Sequence, residues 1–124
     1  MWICRNENPI NRRVGDCVVR AISTALGQSW QKTFVHLCIR GFMVFDMPSS
    51  NAVWAEYLKT KGFKYVGIPN ICNYYTVEDF CKDHPKGTYI LGTGSHALTV
   101  IDGDYYDVWD SGQEIPIYYF TKEE

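Results

Sequence analysis

A chain of 124 residues with 14 acidic and 12 basic side chains, net charge -2, carries no positive field that would draw nucleic acid or an anionic membrane. Nine Tyr, six Phe and four Trp supply enough large apolar surface for one core, so residues 1–124 are expected to form a single domain without covalent staples. Five cysteines, an odd number at irregular spacing, are not the framework of a secreted disulfide scaffold. Residues 1–9 lack the apolar core of a signal peptide and no stretch approaches the ~18 apolar residues of a membrane span, so a cytoplasmic location is expected.

Helical patterns come first along the chain. Val18, Val19, Ile22, Ala25 and Leu26 form a stripe that predicts a helix over 17–26, with Asp16 placed to cap its start and Gly27 to end it. Ser29 is placed to cap a second helix through Trp30, Phe34, Leu37 and Cys38, with Gly41 as its stop. Asn51 is placed to cap a third, carrying Val53, Trp54, Tyr57 and Leu58 on one face, with Gly62 just past its end. A strand over 63–68 follows, then a short helix opened by Thr76, Glu78 and Asp79 and closed at His84-Pro85-Lys86-Gly87. β-branched and aromatic residues separated by Gly and Asp predict strands over 88–92, 96–101, 105–109 and 115–120. The fold class expected is α+β, helices followed by a mainly antiparallel sheet.

A cysteine attacks as its thiolate, and the first turn of a helix favours that negative charge through its free amides and dipole. Cys17 occupies such a start, and Gly15 leaves space beside it. Position alone does not distinguish a nucleophile from a small buried hydrophobe; a thiol nucleophile also needs an imidazole base and a group that orients the base. Of three histidines, His36 lies inside an apolar helical stretch and His84 in a polar turn. His96 opens a strand directly after Gly92-Thr93-Gly94-Ser95, where its ring can project from a sheet end.

The turn Asp102-Gly103-Asp104 predicts a hairpin. With Gly103 at the centre of a three-residue loop, His96 faces Asp110 directly, Cβ atoms about 5 Å apart, within reach of a carboxylate–imidazole bond. A two-residue loop shifts the parity and brings Asp107 or Trp109 to that face, making Asp107 the alternative orienting acid. For the oxyanion, the Cys17 amide is one donor, and the Asn11 side chain, six residues earlier, is the candidate for the second.

The run Asn11-Arg12-Arg13-Val14-Gly15-Asp16-Cys17-Val18-Val19-Arg20-Ala21-Ile22, with Ser95-His96-Ala97-Leu98-Thr99-Val100 and Val108-Trp109-Asp110, resembles the papain-like cysteine peptidases. Nearest in pattern are the compact double-glycine-leader-processing type and small phage and bacterial domains similar to it. The resemblance implies an early helix carrying the cysteine and a later sheet carrying first histidine and then Asp or Asn, with Cys17, His96 and Asp110 as catalytic residues and Asn11 as oxyanion donor. The implied reaction is cleavage of an amide, peptide or isopeptide bond in a peptide or protein substrate through a thioester. Transglutaminase-like enzymes use the same residue order for transfer to an amine. A non-catalytic papain-like binding protein, such as a phage factor acting on a host protein, would instead use aromatics such as Trp2, Tyr74, Tyr75, Tyr118 and Tyr119. Cys72, Cys81 and His84 lack zinc-site spacing, and Gly92-Thr93-Gly94 lacks the context of a phosphate loop, so neither metal nor cofactor is expected.

Overall fold

The computed structural model describes residues 1–69 and 74–122. The first helical stripe forms α1 (Cys17–Leu26), which ends at Gly27 in the left-handed conformation, φ 64°. Asp16 stands at its N-cap position, but its side chain does not cap the helix, contrary to expectation. Ser29 does cap α2 (Trp30–Val44), accepting from the Lys32 amide at 3.1 Å.

Gly41 does not stop α2. The helix runs on to Phe45, and the chain then folds back so that the Asp46 amide donates to the Gly41 carbonyl at 2.9 Å. A Cβ at Gly41 would stand 2.5 Å from the Asp46 carbonyl oxygen, so glycine is required there for close approach. Asp46 ties the following loop by accepting from the Met47 amide at 2.7 Å and the Ser50 hydroxyl at 2.9 Å. In α3 (Asn51–Thr60) the N-cap residue is Ser50 instead of Asn51, and the Asn51 side chain accepts from Trp54 Nε1 at 3.0 Å. The later helix, α4 (Val77–Asp83), opens with the expected signal as a full capping box between Thr76 and Asp79.

The strands are β1 (Trp2–Cys4), β2 (Phe63–Gly67), β3 (Thr88–Gly92), β4 (Ala97–Ile101), β5 (Asp104–Asp107) and β6 (Tyr118–Lys122). They form one mixed sheet in the order β1-β5-β4-β3-β6-β2, antiparallel except for β1 on β5. With the four helices this makes the described chain α+β. Strand β1 is unforeseen because three residues are too short to show a period. The last strand starts later than expected, since Pro116 offers no N–H to a ladder. The 4–5 hairpin turns on two residues, Asp102 at φ 50° and Gly103 at φ 84°, so Asp104 is already paired with Ile101.

Successive strand residues point to opposite faces of the sheet. Ile90 and Ala97 pack with Ile22, Leu37, Trp54 and Leu58 from α1, α2 and α3, whereas their neighbours Leu91 and Leu98 pack with Val77, Phe80 and Tyr105 on the α4 side. A buried polar link crosses from β4 to α1: the Thr99 hydroxyl donates to the Ala21 carbonyl at 2.5 Å. Among the described residues no helix is long and apolar enough to cross a membrane.

Candidate active site

Cys17 is the first residue of α1 and only half-buried. The first intrahelical bond here runs from the Arg20 amide to the Asp16 carbonyl at 2.9 Å, which leaves the amides at the helix start without helical acceptors. A Cβ at Gly15 would touch nothing, so the approach to the sulfur is open on that side.

His96 lies just before β4, and its Nε2 is 2.5 Å from Asp107 Oδ2. Its other ring nitrogen, Nδ1, is left for the Cys17 thiol, which lines the same cleft. The carboxylate bonded to His96 is therefore Asp107, and the expectation that Asp110 would lie there is corrected. The two-residue turn is the reason. Continuing the observed register past its last pair, Thr99 with Tyr106, sets Trp109 opposite His96, and their ring centroids are 5.1 Å apart. Asp107 is then the diagonal neighbour on the same face. Asp110, exposed, instead accepts from the Tyr105 hydroxyl and, at 3.1 Å, from the Gly112 amide, the turn-forming role open to any Asp at a strand end.

Asp107 is 2 % exposed, and every lone-pair direction it uses is directed by the fold. Oδ1 accepts from Arg20 Nη1 at 3.0 Å and the Val108 amide at 2.8 Å, while Oδ2 accepts from Ser111 Oγ at 2.7 Å as well as facing His96. Arg20 is itself held by Asp16 Oδ1 at 2.8 Å, and Asp16 Oδ2 accepts from Trp30 Nε1 at 2.9 Å. A continuous polar chain thus runs Trp30, Asp16, Arg20, Asp107, His96, buried at its three central members and ending beside Cys17. Sequence reasoning missed Arg20, Ser111 and Trp30 in it. The one local signal is Asp16 and Arg20 at helical i,i+4 spacing, which usually marks an exposed pair.

The charges follow from this chain. Burial works against a charged His96, yet its bonds to Asp107 and Cys17 and their charges lift its pKa to about 9. Burial likewise opposes a Cys17 thiolate, but the His96 bond, the Ala97 amide and the positive charges of His96 and Arg20 outweigh it and pull the thiol below its ordinary pKa. Asp107, despite burial, is held below the usual carboxylate range by His96, Ser111 and the Val108 amide.

Cys17 and His96 open onto a cleft of about 540 Å³ between the start of α1, α2, the α2–α3 loop and Gly94-Ser95. Tyr118 lines it, and its hydroxyl has no hydrogen-bond partner among the described residues. Burial, Tyr65 and the Cys17 charge all push that hydroxyl's pKa up, which keeps it a donor. Asn11 does not line the cleft. The Asn8 side chain gathers the amides of Ile10 and Arg12 at 3.1 and 3.2 Å, and the resulting turn leaves Asn11 exposed at a left-handed corner, φ 57°. The expectation of Asn11 as oxyanion donor is thereby corrected.

The other expected residues lie apart from this site. His36 Nδ1 is bonded to Tyr57 Oη at 2.8 Å in a boundary position. His84 is more than a solvated turn residue: it stacks on Phe80 at 3.8 Å and bonds the Phe80 carbonyl at 2.9 Å. Tyr75 and Tyr119 pack on the α4 side of the sheet, Tyr74 is exposed, and Trp2 donates to the Asp107 carbonyl at 3.1 Å. Cys72 lies outside the described residues. Among those residues, no three His, Cys, Asp or Glu side chains are grouped to hold a metal ion. No family model, curated protein or solved structure matches the chain.

Proposed function

We propose that this chain is a thiol hydrolase of papain-like type that cleaves an amide, peptide or isopeptide bond through a thioester on Cys17. One observation carries the reading: Cys17 and His96 line the same cleft, close enough for the ring to lower the thiol's pKa, and the His96 ring is bonded, at 2.5 Å, to the buried Asp107 carboxylate. A thiol below its ordinary pKa beside an imidazole lifted to about 9 raises the share of the thiolate–imidazolium pair at neutral pH above that of a free cysteine.

The thiolate attacks the substrate carbonyl, forming the carbon–sulfur bond as the carbonyl π pair moves onto oxygen. The Cys17 amide at the helix start and the Tyr118 hydroxyl stabilise that oxyanion. His96 Nδ1–H then protonates the departing amine as the carbon–nitrogen bond breaks. In the second half, neutral His96 takes a proton from water, the hydroxide adds to the thioester carbonyl, and the carbon–sulfur bond breaks to return the thiolate. Asp107 keeps the ring oriented throughout and stabilises its charged form whenever it holds the proton, and Arg20 with Ser111 keeps Asp107 oriented. The complete polar chain and the open cleft favour a working site over an idle one used only for binding.

Iodoacetamide at pH 7, with intact-mass and peptide mapping, tests this directly. Cys17 is expected to be alkylated well ahead of Cys4, Cys38, Cys72 and Cys81, and His96→Ala should remove the preference. Equal labelling of all five cysteines, or a preference unaffected by His96→Ala, would falsify the catalytic reading.

A further inference from the structure

The cleft beside Cys17 has a definite chemical character. Its walls are apolar. Trp30 and Phe34 stack face to face, centroids 5.0 Å apart at 8°, along one side, and Leu37 and Trp54 lie deeper. Met47 and Pro48 close the opposite side, held there because Gly41 lets the Asp46 carbonyl approach α2 and because Asp46 ties the loop. Apart from the Cys17–His96 pair, the lone ionisable carboxylate lining the cleft is Asp16, and both of its oxygens are already bonded, to Arg20 and Trp30. Away from the Cys17–His96 pair, a charged group entering this space would lose its water and find no counter-charge.

The rim differs from the walls. Ser49, Ser95 and the Asn51 side-chain amide all line the cleft edge, and none of these donors has a hydrogen-bond partner among the described residues; Asn51 spends just its oxygen, on Trp54. Phe34 and Met47 are 43 % and 68 % exposed, an unusual placement for large apolar side chains that flank the same opening. Walls that take apolar side chains and a rim that takes amide groups together fit an extended polypeptide; a plain hydrocarbon chain would leave the rim unused.

Resting on the reading of Cys17 as nucleophile, we infer that the substrate is a peptide segment bearing bulky, uncharged apolar side chains beside the bond that is cleaved, seated between Trp30–Phe34 and Met47–Pro48 with its backbone on Ser49, Asn51 and Ser95. A large apolar side chain fully buried in such a wall adds about tenfold or more to the rate of capture.

The test measures alkylation of Cys17 by N-acetyl-Leu-Phe chloromethyl ketone, by N-acetyl-Asn-Asp chloromethyl ketone and by octyl chloromethyl ketone, each divided by the iodoacetamide rate on the same protein. In each reaction the thiolate sulfur displaces chloride. The apolar peptide reagent is expected to exceed the polar one by at least about tenfold and to exceed the octyl reagent, and Phe34→Ser should bring its ratio down toward the polar reagent's. Equal ratios, with iodoacetamide still selecting Cys17, overturn the inferred substrate and leave the nucleophile standing. A faster octyl reagent overturns the peptide assignment in favour of a fatty acyl group. Loss of iodoacetamide selectivity defeats the nucleophile reading itself, and the substrate inference with it.

Discussion

The chain contains two cysteine–histidine neighbourhoods on opposite sides of one sheet, and they differ in everything except residue type. Cys17 begins α1, half-buried, with its thiol pulled below the ordinary pKa and the hydrogen-bonded His96 lifted to about 9. Cys81 lies inside α4, where burial pushes its thiol up to about 11, and His84 one turn away spends its ring on Phe80 by stacking and on the Phe80 carbonyl by hydrogen bonding. Neither a carboxylate nor a helix start serves the second pair. The opposite shifts of the two thiols thus come from their neighbours: at Cys17 an imidazole backed by a buried acid, a helix start and an open face, at Cys81 chiefly burial.

Substitutions made in parallel on the two sides sharpen that contrast. The largest effect is expected from Arg20→Met, which leaves Asp16 and Asp107, 7 % and 2 % exposed, buried without their cation. Urea unfolding should show a loss of about 3–5 kcal/mol; a loss below about 1 kcal/mol would mean that water already compensates these carboxylates. Next, His96→Ala should slow iodoacetamide alkylation of Cys17 at pH 7 by up to about thirtyfold, because the thiol returns to an ordinary pKa with a few per cent thiolate. His84→Ala should leave that rate within about twofold, since its ring bonds only the Phe80 carbonyl and packs on the far side of the sheet.

Smaller effects separate the two acids of the hairpin. Asp107→Asn removes the negative charge that helps keep His96 protonated and should slow Cys17 alkylation, by less than His96→Ala does. Asp110→Asn, which alters a turn, should change it by less than about twofold. If the two variants behave in reverse, the register read from the two-residue turn is wrong. Smallest is the cap on the quiet side: Thr76→Ala, which breaks the capping box of α4, should cost about 1 kcal/mol and leave Cys17 labelling unchanged.

In the proposed mechanism, the pH profile separates the two roles given to His96. As pH falls through the lowered pKa of Cys17, the thiolate gains its proton and both alkylation and acyl transfer decline. As pH rises through about 9, the imidazolium loses its proton; alkylation persists because the thiolate remains, but acyl transfer falls for want of an acid to protonate the leaving amine. A matched fall of both activities above pH 9 would show that His96 is not that acid.

The sequence by itself determined the pieces whose physics is local. Apolar spacing, Gly27 and Ser29 placed α1 and α2 and set Cys17 at a helix start; β-branched runs and Asp102-Gly103 placed the hairpin that begins at His96. It also narrowed the orienting acid to a choice of parity. Only the tertiary structure decided that choice, because loop length turns on two backbone angles, φ 50° at Asp102 and 84° at Gly103, and a one-residue shift exchanges the faces of every later residue. It alone joined Arg20 to Asp107 across 87 residues, for ion pairs between distant segments leave no period to read. Gly41 shows the same limit: as a letter it signals a helix stop, but it serves as the socket for the loop that walls the cleft, since what a missing Cβ permits depends on which backbone arrives to fill its place.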